Sequence, residues 1–127
     1  METAAQEALN VLGCPDSELS ILIVDDVRMA ELHEEYVGKK GPTNVLAFPM
    51  TEGPFNEINP EILGDVVLCT GVAAREAEDG GTDLDTRLLE LLIHGILHLL
   101  GHDHGEPEEA QLMQVRESEL FEKLKDI

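Results

Sequence analysis

Residues 84–100 form a stretch almost continuous in leucine and isoleucine, and its most apolar part carries two histidines, His94 and His98. A helix this apolar all round must be buried, so the rest of the chain has to be arranged about it. Thr82 or Asp83 is placed to cap its start and Gly101 to stop it, which predicts a helix over 84–100. Histidines at i and i+4 share one helix face, with backbone positions about 6 Å apart. Gly101 can take the left-handed conformation that ends a helix and reverses the chain, so that His104, three residues later, can swing back to the same point. Three imidazoles arriving from a helix and its following turn leave a fourth tetrahedral position open for water, as in catalytic rather than structural zinc sites. A lone histidine on an apolar helix reads as a satisfied core residue. Three at this spacing, with the glycine between them, read as metal ligands. One zinc ion is expected, although nickel, cobalt or copper also suit three imidazoles.

The spacing H-x-x-x-H-x-x-G-x-x-H equals that of metzincin proteases, but position 95 is glycine where they carry a general-base glutamate. A peptidase needs that carboxylate beside the first ligand to take the proton of its water. Phosphodiester hydrolysis needs it less, because a metal can both acidify water and neutralise charge on the phosphoryl oxygens. Within the reversing loop, His102 reads as an exposed residue. Asp103 is either an outer partner of a ligand's second N–H or a turn former. Met113 lies in an amphipathic segment and is expected in the core.

At 127 residues the chain fits one domain, 1–127, and no apolar run reaches the roughly 20 residues of a membrane span. The start has no secretory-signal pattern, and Cys14 and Cys69 are too isolated for a disulfide framework. Both read as buried thiols in a reducing cytoplasm. Helices are predicted over 3–12, over 27–36 with Asp26 as cap and Val27, Met29, Leu32 and Tyr36 inward, over 70–78, and over 106–125 with Leu112, Val115, Leu120 and Leu124 inward. Strands are predicted at 20–25, 43–49 and 63–69, with a turn at 38–42 and a loop at 51–62. Interleaved strands with the two longest helices last make the class α+β: a small mixed β-sheet packed against several helices, one of them long, buried and metal-binding. Acidic residues number 27 against 8 Lys plus Arg, a net charge of −19. Such a surface disfavours non-specific nucleic-acid binding and suits solubility or a basic protein partner.

The run from His94 to His104, HGILHLLGHDH, is similar to the signature of the YbeY family of bacterial endoribonucleases and rRNA maturation factors. Residues 22–26 (LIVDD), 42–49 (PTNVLAFP) and 63–66 (LGDV) resemble that family's strands, in the same order, and the acidic last helix fits too. The resemblance implies a cytoplasmic, zinc-dependent, single-strand-specific endoribonuclease of small-subunit rRNA 3′-end maturation and ribosome quality control. It makes His94, His98 and His104 the metal ligands. Single-stranded RNA within the ribosome is the expected partner, with a small-subunit ribosomal protein and an assembly GTPase beside it, and no membrane. Two positions depart from the family pattern. Val37 stands where an arginine usually follows the aromatic residue, and Asn44 where aspartate is usual. Lys39 and Lys40, the only adjacent basic pair, are then the nearest phosphate contacts, with Asp103 the remaining catalytic candidate. No residue stands out as general base. The rival reading is a ribosome-assembly binding factor whose metal site is mainly structural. A metalloprotease ranks last, for want of a glutamate at 95.

Overall fold

The computed structural model describes residues 2–49, 62–101 and 106–126. Their order is α1 (Glu2–Val11), β1 (Glu18–Val24), α2 (Asp26–Val37), β2 (Val45–Pro49), β3 (Ile62–Cys69), α3 (Thr70–Asp79), α4 (Leu84–Leu99) and α5 (Pro107–Leu124). The class is α+β, as the sequence predicts, with five helices and one three-stranded mixed sheet among the described residues. The sheet order is β1-β3-β2. β3 pairs parallel with β1 and antiparallel with β2, for instance through Val66 opposite Ile21 and Ala47.

Alternation along β3 divides the interior in two. Val66 and Leu68 join α1, α4 and α5 in the larger cluster, while Val67 and Cys69 join Met29 and Leu32 of α2 on the other face. At the antiparallel end, Gly64 has φ 144°, and a Cβ there would lie 2.2 Å from the Phe48 carbonyl oxygen, so the strands meet closely only because 64 is glycine.

α4 is the axis of the larger cluster and buries Leu88, Leu91, Leu92, Ile93, Ile96, Leu97 and Leu99. Asp83 caps it, its carboxylate accepting from the Thr86 N–H at 2.7 Å, and hydrogen bonds from the Thr86 side chain and then its backbone hold Asp83 below the usual carboxylate range. The helix ends at Leu99, and Gly101 follows at φ 96°. α2 begins one residue earlier than predicted, because Asp25 rather than Asp26 caps it, accepting from Arg28 N–H at 2.9 Å.

Asp26 has another partner set. It accepts from the Cys69 thiol at 3.2 Å and pairs with Arg75 at 3.0 Å, tying the start of α2 to the start of α3. The thiol's hydrogen bond, then Arg75, keep Asp26 below its ordinary pKa, and burial pushes Cys69 up. Cys69 is thus a neutral buried thiol, whereas Cys14 is only partly buried.

Two inward faces are narrower than predicted. On α5, Met113, Leu120 and Leu124 are buried while Leu112 and Val115 are exposed. At 100° per residue, 112 and 115 lie well off the 113–120–124 stripe, which the helix turns to the core. On α2 only Met29 and Leu32 are buried. Val27, two residues before Met29, points away, and Tyr36, mostly exposed, touches Phe48 edge-on at a ring separation of 5.2 Å. No helix among the described residues is long and apolar enough to cross a membrane.

Candidate metal centre

The packing of α4 on the sheet decides which of its faces is free for chemistry. Gly95 faces the strands: a Cβ there would lie 2.8 Å from Val66 Cγ1 and 3.4 Å from Val45 Cγ2. The carboxylate of a peptidase base therefore has no room at 95, so packing as well as residue identity excludes it.

His94 and His98 lie on a half-buried face of α4, one turn apart. Their Nε2 atoms are 3.0 Å apart and their ring centroids 4.6 Å, with the planes inclined at 72°. Two nitrogens bound to one zinc at about 2.0–2.1 Å in tetrahedral geometry stand roughly 3.3 Å apart, so the pair needs little movement to share an ion. On the other side of the His94 ring, Nδ1 is 3.2 Å from Glu117 Oε2, on α5. A carboxylate only accepts at neutral pH, so the proton of a neutral His94 sits on Nδ1 and its Nε2 keeps a lone pair. With Nδ1 turned to Glu117, Nε2 is the atom of His94 that would face an ion held jointly with His98.

Of the sequence-predicted residues, His94 and His98 are the ones brought together. His104 and Asp103 lie outside the described residues, as does His102. Among the described residues no group of three or more His, Cys, Asp or Glu forms a metal cage. Lys39 and Lys40 are exposed on the turn after α2. His33 shapes that turn: its Nδ1–H donates to the Gly41 carbonyl at 2.8 Å, and its own carbonyl accepts from Gly38 and Lys39. Val37, the last residue of α2, is about half exposed.

Beside His94 opens a cleft of about 530 Å³ between α4, α5 and the start of β2, lined by Arg87, Glu90, Gln114, Glu117 and Phe121 among others. Its cation is held: Arg87 Nε–H donates to Glu76 at 3.1 Å, and a second guanidinium nitrogen is 3.5 Å from Glu90. Asn44 Nδ2 donates to both oxygens of the same Glu76, at 3.2 Å each. An aspartate at 44 would set a second carboxylate against Glu76, so Asn44 matches its surroundings in this chain.

Sequence reasoning missed Glu117 and Arg87. For Glu117 a signal exists: it is an acid on the same helical stripe as Met113, Leu120 and Leu124, where a core residue is expected. Arg87 is two turns before His94 on the same face, but helix-surface arginines are too common for that to stand out.

A family model described as Endoribonuclease YbeY matches residues 1–125. Curated relatives that bear this name include one from Syntrophotalea carbinolica, 43% identical over 99% of this chain and 85% of its own. Another, from Geobacter metallireducens, is 47% identical over 95% of this chain and 82% of its own. Among solved structures, the solution structure of TM1509 from Thermotoga maritima superposes with a TM-score of 0.71 at 26% identity, covering 97% of this chain and 77% of that one.

Proposed function

Because the chain belongs to the YbeY endoribonuclease family, we propose that it is a metal-dependent endoribonuclease that cuts single-stranded RNA during 3′-end maturation of small-subunit rRNA, in the cytoplasm. The observation that supports this most is the convergence of His94 and His98, with Nε2 atoms 3.0 Å apart on a half-buried helix face. These two and His104 would hold one zinc ion, nickel or another divalent transition metal being chemically possible. When bound, such an ion supplies Lewis acidity toward a phosphoryl oxygen and lowers the pKa of water.

The protein's own contribution is placement. α4 fixes two imidazoles, and the apolar packing beneath them keeps them from turning inward. The cleft of about 530 Å³ beside His94 is large enough to seat part of a nucleotide strand. Lys39 and Lys40 are the candidate phosphate contacts, on a turn whose shape His33 sets through Gly41. Asp103 is kept as a candidate outer partner of a ligand histidine. Glu76 and Glu90 occupy Arg87, and 27 acidic residues set the long-range field, so affinity for naked RNA is expected to be low.

The same charge balance favours a second reading: an assembly factor that binds a basic small-subunit ribosomal protein or an assembly GTPase, with a metal site that is mainly structural. Substrate class separates the two. Zinc-loaded protein should cut a single-stranded RNA, leave a perfect duplex and a peptide intact, and lose that activity in chelator. RNA left uncut under every metal condition, alongside tight binding to a ribosomal protein, would favour the assembly factor instead.

A further inference from the structure

We infer that Glu117 is a positioning residue: it holds His94 in the tautomer and orientation that offer Nε2 to a metal, and so ties metal affinity to the docking of α5. The inference rests on the metal-site reading above and deepens it. The Oε2 atom of Glu117 lies 3.2 Å from His94 Nδ1, and both side chains are about a quarter to a third exposed, so water competes only partly for the bond. A carboxylate on the inward stripe of a helix loses hydration, and the imidazole N–H offsets that loss.

Its backbone has little freedom to move away. Met113, one turn before it, and Leu120 and Leu124 after it are fully buried, which pins this face of α5 to the core. The side of the ring it occupies decides its role. Nδ1 is the edge of the imidazole remote from Nε2, and Nε2 is where His98 converges. Through this contact Glu117 acts on the imidazole ring and not on the ligand atom itself. What it can do is fix the proton on Nδ1 and lock the ring's rotation.

The alternative is an ion pair that merely fastens α5 to α4. The two roles move different quantities. Zinc affinity, read by competition with a chromophoric chelator well below the melting temperature, should fall about 10–100-fold in Glu117→Ala. The loss should be smaller in Glu117→Gln, whose amide oxygen still accepts from Nδ1–H. The visible absorption bands of the cobalt-substituted protein should shift in Glu117→Ala and largely return in Glu117→Gln. Glu119→Ala, on the exposed face of the same helix, should match the wild type in both. A folded Glu117→Ala protein with wild-type zinc affinity and cobalt spectrum would overturn the positioning role and leave the metal site standing. Should Glu117→Ala fail to fold, Glu117→Gln decides: a loss of zinc affinity of about two- to tenfold with a near-native cobalt spectrum supports the role, and either wild-type affinity or a loss as deep as that of His94→Ala overturns it. A wild-type protein that binds neither zinc nor cobalt would overturn the metal-site reading and this role together.

Discussion

Replacing Gly95 with glutamate is expected to unfold the protein, not to convert it into a peptidase. The residue numbering invites the experiment, since a glutamate at 95 would complete a metzincin-like spacing. The packing forbids it. The Cβ alone would stand 2.8 Å from Val66 Cγ1, and Val66 is a fully buried, β-branched residue of the central strand that cannot swing aside. Gly95→Ala should therefore cost about 1–3 kcal/mol through overpacking, offset in part by the roughly 1 kcal/mol that alanine gains over glycine in a helix. Glutamate adds a longer side chain and an unpaired carboxylate against an apolar sheet face, which takes the loss beyond about 4 kcal/mol. Urea unfolding of the two variants checks this. A Gly95→Glu protein as stable as the wild type would show that α4 does not pack on β2 and β3 as described.

The second large effect is chemical. His98→Ala should leave the metal-free fold nearly unchanged, because His98 is half-buried and alanine is the better helix former. It should instead lose bound zinc, by more than the roughly 10–100-fold in affinity that loss of an outer-shell partner costs. RNA cleavage should go with it. The thermal stabilisation that zinc gives the wild type, which scales as RT ln(1 + [L]/Kd), should disappear as well. Metal content by mass spectrometry, melting temperature with and without zinc, and cleavage of one single-stranded RNA form a single comparison. RNA cleavage that survives His98→Ala in metal-free buffer would remove the metallonuclease reading, whatever the fold.

How much of this was legible beforehand follows from which residues act locally. The α4 helix, its Asp83 cap and its end before Gly101 were legible, because the apolar run, cap and glycine lie next to one another in sequence. So was the pairing of His94 with His98, fixed by helix periodicity alone. The strands at β1, β2 and β3 showed as short β-branched runs, but their order did not, since a parallel β1–β3 pair depends on what crosses between them. The inward faces of α2 and α5 were drawn too wide, because leucine and valine at 112, 115 and 27 count as core by type while the helix rotation turns them outward. The function of Gly95 was read only as a missing glutamate. That it is also a contact between helix and sheet depends on Val66 and Val45, far away in sequence. Glu117 escaped for the same reason, since its partner is 23 positions away on another helix.

The central claim is that histidines on a buried helix hold one metal ion with which the protein cuts RNA. It is met most directly by titrating zinc into metal-stripped protein while following the cleavage rate of a single-stranded RNA. The rate should start near zero, climb in proportion to zinc, and level off at one equivalent per chain. Full activity before any zinc is added and in excess chelator, or a rate that no divalent transition metal raises, would contradict it.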